Sequence, residues 1–101
     1  MSYKLVVPGP IEDVEELRVL EWHGVPGTAF ALGALIVELE THKAVVEVRA
    51  GQKGVLRKIL HEEGSWLKIG EPLALLTDSE SDSLPPSAEG LDALAVEFEI
   101  L

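Results

Sequence analysis

The chain has no cysteine, one methionine, one tyrosine, two phenylalanines and two tryptophans among its 101 residues. Without cysteine there is no disulfide framework, no thiolate nucleophile and no cysteine-ligated zinc, so thiol or redox chemistry must arrive on an added group. No stretch approaches the roughly 18 consecutive apolar residues of a membrane-crossing helix. The opening Met1-Ser2-Tyr3-Lys4-Leu5 is too short in apolar run for a signal peptide. Positive charge is scarce as well: 8 Lys/Arg stand against 18 Asp/Glu, a formal net charge of −10. That balance argues against a binder of nucleic-acid phosphates and against a protein of anionic membrane surfaces. The expectation is a soluble, cytoplasmic protein that engages neither nucleic acid nor membrane.

What is present is an apolar chain, 47% hydrophobic, with its charge unevenly placed. Residues 78–101 hold seven acids and no base, whereas residues 1–77 hold the other 11 acids and all 8 bases, a net of −3. At the same point the composition changes. Asp78 to Gly90 is polar and rich in serine and proline, with too little apolar surface to order itself. The expected organisation is a domain over 1–78, an acidic Ser/Pro linker over 79–90, and a C-terminal segment over 91–101. In that segment Leu94, Val96, Phe98 and Ile100 alternate with Ala95, Glu97 and Glu99, the pattern of a strand that could add to an exposed sheet edge. Leu91, Leu94, Ala95 and Phe98 equally fit one face of a helix, and periodicity alone does not decide.

The body reads as strands. Gly and Pro punctuate it every 8–12 residues or so, the spacing of a β-sandwich or barrel. Apolar or alternating runs cover Tyr3–Val7, Leu17–Trp22, Ile36–Glu40, Val45–Arg49, Val55–Leu60 and Leu73–Thr77. In Leu17–Trp22 strict alternation sets Leu17, Val19 and Glu21 against Arg18, Leu20 and Trp22; Asp13–Leu20 also fits a helix start, with Asp13 followed by Glu16. The chain repeats itself at an offset of 37. Gly27-Thr28-Ala29-Phe30-Ala31-Leu32-Gly33 lies on Gly64-Ser65-Trp66-Leu67-Lys68-Ile69-Gly70, Ile36–Leu39 on Leu73–Leu76, and Val19 on Leu56. Two similar halves in under 80 residues imply a small all-β sandwich with an internal pseudo-two-fold.

The link between the halves is Glu40-Thr41-His42-Lys43-Ala44, a tight hairpin with His42-Lys43 at its apex. Two-residue hairpin loops favour Asn-Gly, Asp-Gly or Gly-X because positive φ is needed. His-Lys offers neither Gly nor Asn, and breaks of a local rule tend to mark functional positions.

These residues match a family. Leu5 to Asp78 resembles the lipoyl domain of 2-oxo acid dehydrogenase complexes, within the biotinyl/lipoyl attachment family. Glu40-Thr41-His42-Lys43-Ala44-Val45-Val46-Glu47-Val48 is similar to the family's Glu-(Ser/Thr)-Asp-Lys-Ala hairpin. Pro26-Gly27 through Phe30, Gly33 and Leu35 resembles the turn and short strand before it. Gly54-Val55-Leu56 through Gly64 and Gly70-Glu71-Pro72-Leu73-Ala74 resembles the second half, and Val7-Pro8 with Glu21-Trp22 the first strands. The resemblance implies a barrel-sandwich hybrid, a flattened β-barrel of two four-stranded antiparallel sheets. It implies lipoate bound covalently to Lys43 as a swinging arm, within an attachment hairpin of Glu40, Thr41, His42 and Ala44. The implied partners are a lipoate ligase or lipoyl/octanoyl transferase, and the 2-oxo acid decarboxylase, acyltransferase and dihydrolipoyl dehydrogenase components. A lysine ammonium is not a nucleophile, so a partner must deprotonate it and supply the activated acyl group. With no acyltransferase sequence here, the expectation is a freestanding carrier rather than an enzyme.

The chain departs from the family pattern in two places. His42 stands where the family has Asp, and Arg49–Gly54 replaces a Pro-rich turn with a looser, more basic one. The alternatives are a biotin carrier, disfavoured because the Ala-Met-Lys-Met of those carriers is absent, and an unmodified interaction module with the same fold. The related H protein of glycine cleavage is longer and has helical elements not seen here. His23, His42 and His61 show no ligand spacing, so no metal site is expected. No carboxylate pair accompanies a nucleophile, so a hydrolase is not expected either. Trp22 and Trp66 read as packing residues.

Overall fold

The computed structural model describes residues 1–101 and contains ten strands and no helix. They are β1 (Ser2–Val6), β2 (Glu16–Trp22), β3 (Ala29–Phe30), β4 (Leu35–Glu40), β5 (Val45–Ala50), β6 (Gly54–Ile59), β7 (Trp66–Lys68), β8 (Pro72–Thr77), β9 (Asp92–Ala93) and β10 (Val96–Ile100). One sheet runs β3-β6-β8-β1-β9 and the other β10-β5-β4-β2-β7. The two expected four-stranded sheets, β3-β6-β8-β1 and β7-β2-β4-β5, are antiparallel throughout; each carries a fifth strand from the C-terminal segment. No helix starts at Asp13. The chain turns over Ile11–Val14, where Asp13 takes a φ of 61°, and β2 begins at Glu16.

The 37-residue repeat is written into the backbone. Gly27 N–H donates to Leu56 O and Leu56 N–H to Thr28 O; 37 residues away, Gly64 N–H donates to Val19 O and Val19 N–H to Ser65 O. Gly27 and Gly64, and Gly33 and Gly70, all have φ between 87° and 102°, a region open to glycine at no steric cost. The core follows the same symmetry. Val19/Leu56, Phe30/Leu67, Ile36/Leu73, Val37/Ala74 and Leu39/Leu76 are all buried in one cluster of 17 residues between the sheets.

Strict alternation fails in β2, and a bulge is the reason. Arg18 and Val19 pair with Glu40 and Leu39, but Glu21 and Trp22 pair with Glu38 and Val37, so Leu20 is the extra residue. A bulge turns the following side chains over. Glu21 therefore faces solvent, and Trp22 packs against the core while its Nε1–H donates to His61 O. Arg57, which is 37 residues after Leu20, is the skipped residue of β6. Ile36 in β4 and Leu73 in β8 form the second such pair.

The C-terminal segment joins the two sheets. β9 pairs in parallel with β1 through Tyr3 and Lys4, and β10 pairs antiparallel with β5 along its five residues. Between them Leu94 is 3% exposed and inserts into the core. The crossing is close. A Cβ on Gly51 would lie 2.9 Å from the Ala95 carbonyl group, and Gly51 N–H donates to Ala95 O at 2.8 Å. Residues 78–83 fold back on the amino end. The Met1 ammonium donates to Asp82 Oδ2 at 3.1 Å, which raises the amine pKa and lowers that of the Asp82 carboxyl.

Candidate functional site

β4 and β5 are the best-buried alternating pair of their sheet, with Val37, Leu39, Val46 and Val48 facing inward and Glu38, Glu40, Glu47 and Arg49 outward. Their pairing closes at Glu40 opposite Val45, so the chain must reverse within Thr41-His42-Lys43-Ala44. Thr41 N–H donates to Ala44 O at 2.8 Å. Neither His42 nor Lys43 takes a positive φ. The loop is therefore not the primed turn that calls for Gly or Asn, and the local rule that His-Lys appeared to break does not apply.

Thr41 holds the turn instead. Its side chain is turned inward, and Oγ1 accepts from both Lys43 N–H and Ala44 N–H at 3.0 Å. A threonine at the head of a turn is the signal that could have shown this in advance, because Ser and Thr hydroxyls bond the backbone two or three residues on. Removing that oxygen leaves two amides without their acceptor. Thr41→Val is expected to cost about 1–3 kcal/mol and to speed hydrogen exchange at Lys43 and Ala44, whereas Thr41→Ser keeps both bonds. Denaturant unfolding and amide exchange of the three proteins measure it.

The five residues marked out by the sequence thus divide. His42 and Lys43 are exposed at the apex, and Lys43 enters no ion pair. Thr41 is buried and Ala44 half-buried. Glu40 stands at the base, where Arg18 Nε–H donates to its Oε1 at 2.6 Å and ties β2 to β4 below the turn. Arg18 and Glu40 are direct cross-strand partners, so the pair also reinforces the register.

Two features beside the hairpin come from distant sequence. A cavity of about 230 Å³ adjoins Lys43, walled by Ile11, Val14, Ala44 and Ile100, with Glu12 and Asp13 at its margin. The C-terminal residue reaches the same place, as Leu101 N–H donates to Val45 O at 2.9 Å. On the other flank, Asp13, Glu15, Glu16 and the half-exposed Trp66 border His42. Sequence order hides these neighbours, because the 11–14 turn and β10 meet the hairpin only through the sheets. Lys43 carries the one primary amine of this region. It is held on a rigid turn with open solvent before it, and acids rather than bases surround it.

Comparison with known proteins shows what the whole body of the chain is similar to. A family model described as biotin-requiring enzyme matches residues 3–76. The pyruvate dehydrogenase complex protein X component of Saccharomyces cerevisiae mitochondria is 33% identical over 98 residues, covering 92% of this chain and 24% of that protein. The dihydrolipoyllysine-residue succinyltransferase component of the Escherichia coli K12 2-oxoglutarate dehydrogenase complex is 34% identical over 88 residues, covering 87% of this chain and 22% of that protein. The chain thus spans under a quarter of the length of these relatives. Among solved structures, the lipoyl domain of the 2-oxoglutarate dehydrogenase complex from Azotobacter vinelandii superposes with a TM-score of 0.63 and 37% identity, covering 74% of this chain and 95% of that one.

Proposed function

This chain belongs to the biotinyl/lipoyl attachment family, and from that premise we propose that it is a lipoate carrier whose Lys43 Nζ takes the lipoyl group as an amide. The observation that carries the reading is the hairpin: an exposed, unpaired amine on a turn whose backbone Thr41 fixes. A carrier lysine has to meet a ligase first and then several catalytic sites, so its amine must stand clear of the sheets while its backbone stays in register. The β4–β5 ladder supplies the register and the Arg18–Glu40 pair braces its end. When bound, lipoate supplies a dithiolane whose two sulfurs accept an acyl group and electrons, chemistry that a cysteine-free chain cannot provide.

The partners follow from the same reading. An acyl-activating ligase or transferase would load Lys43, and decarboxylase, acyltransferase and dihydrolipoyl dehydrogenase components of a 2-oxo acid dehydrogenase complex would use it. His42 and the neighbouring acids form the surface such proteins would meet first. The chain itself would act as carrier and not as catalyst. No helix is long and apolar enough to cross a membrane.

Intact mass of the protein recovered from its native cell, followed by peptide mapping, tests the proposal. A single lipoyl or octanoyl adduct on Lys43 is expected. A biotin adduct overturns it in favour of the biotin carrier. An unmodified chain from cells with active ligase overturns it in favour of a non-acylated interaction module.

A further inference from the structure

Sequence spacing left His23 without companions, but the fold brings two to it. Glu21 lies near the end of β2 and His23 is the first residue after it, and Glu38 is the direct cross-strand partner of Glu21 on β4. Their donor atoms lie within 4.8 Å of one another, and His23 Nε2 is 2.6 Å from Glu38 Oε1. We propose that Glu21, His23 and Glu38 form a surface site for a zinc-type divalent cation, independent of the Lys43 hairpin.

Three arguments support the site. The first is geometric: Glu21 and Glu38 are directly opposed on β2 and β4, and His23, just past the end of β2, brings its ring to the same place. For bonds of about 2.0–2.2 Å in a tetrahedral site the ligand atoms sit roughly 3.4 Å apart, so side-chain rotation has to open the His23–Glu38 contact and draw in Glu21. The second is electrostatic. Two carboxylates placed directly opposite each other repel, Glu47 stands opposite Glu38 on its other side, and the neighbouring arginines are engaged elsewhere, Arg18 by Glu40 and Arg49 by Glu47. With neutral imidazole the cluster carries −2, which a dication neutralises. The third is rigidity. His23 N–H donates to Ile36 O at 2.9 Å and Trp22 N–H to Glu63 Oε2 at 3.1 Å, so the end of β2 is anchored on both sides of the bulge-shifted register. Glu38 is half-buried, while Glu21 and His23 are exposed.

One nitrogen and two carboxylate oxygens favour zinc, copper or nickel over magnesium or calcium, which prefer all-oxygen sites. On binding, the ion replaces the hydrogen bond between Nε2 and Oε1, and the neutral ring carries its single proton on Nδ1. Three protein ligands leave a fourth position open to water or an incoming donor. Glu38 also borders the hollow beside Lys43, so an occupied site would reduce the negative charge on that flank of the hairpin.

The test is titration of the whole chain with zinc chloride, followed by calorimetry and by NMR of the three histidine rings. One saturable ion per chain is expected, with the His23 resonances shifting and those of His42 and His61 unmoved. His23→Ala should abolish the saturable phase. Glu38→Gln and Glu21→Gln, which preserve shape, should each weaken it about tenfold or more, with circular dichroism confirming that each variant is folded. The proposal is overturned if His23 does not respond, or if the saturable phase survives unchanged in the two glutamine variants. Shifts confined to residues 78–99 would overturn it too, because the ion would then sit on the acidic tail.

Discussion

Lys43→Arg is expected to eliminate acylation of the protein altogether while leaving its stability unchanged. Arginine preserves the positive charge and long stem at an exposed apex, and Lys43 has no ion pair to lose. What it removes is the nucleophile, since a guanidinium stays protonated and cannot attack an activated acyl group. Four other lysines, Lys4, Lys53, Lys58 and Lys68, remain in the variant as internal controls. A ligase reaction read by intact mass should give one adduct on the wild-type chain and none on the variant. An adduct of undiminished yield on the variant would move the attachment site elsewhere. Matching unfolding curves would show that the loss is chemical and not structural.

The second large effect lies in the core. Leu39 and Leu76, related by the 37-residue offset, are both fully buried at the centres of opposite sheets. Truncating a buried leucine to alanine costs about 2–5 kcal/mol, transfer and cavity terms together. Domains of this kind have only about 5–15 kcal/mol to lose, so either change should lower the denaturation midpoint substantially. The two should then part company. Leu39 is two residues from Thr41, on the strand that presents the hairpin, whereas Leu76 leads to Asp78 and the amino end. At a temperature where both variants remain folded, Leu39→Ala should also slow loading of Lys43, and Leu76→Ala should not. Equal loading rates would mean that the hairpin is held by Thr41 and its own ladder alone.

Much of the architecture was legible because it is repetitive and local. The paired glycines recur where the chain needs positive φ, and the alternation of Val45–Arg49 survives in β5 unchanged. The bulges were not legible. Whether Leu20 or Arg57 is skipped depends on which residues stand opposite in β4 and β8, and that information lies about 20 residues away. This is why Glu21 was assigned to the wrong face. The same limit hid the surroundings of His23, whose carboxylate partners are two residues before it and 15 after it. At the hairpin, one mark on which the sequence reading rested does not hold. His-Lys looked anomalous for a primed turn, but the turn is of another kind and its stability rests on the hydroxyl of Thr41.

The strand laid along β5 also changes what the domain presents to other copies of itself. Uncovered, β5 would offer the main-chain groups of Val45–Ala50, with apolar side chains at four of six positions, as a template for further pairing. With β10 in place the outermost strand of that sheet is Val-Glu-Phe-Glu-Ile, and Glu97 and Glu99 are both exposed. Two such edges brought together antiparallel would set glutamates against glutamates. The remaining edges, β3, β7 and β9, are two or three residues long and too short to nucleate a ladder. The acidity of the last residues, which at first looks like a property of a solvated tail, thus works as a chain terminator: the sheet ends in like charge, and polymerisation stops there.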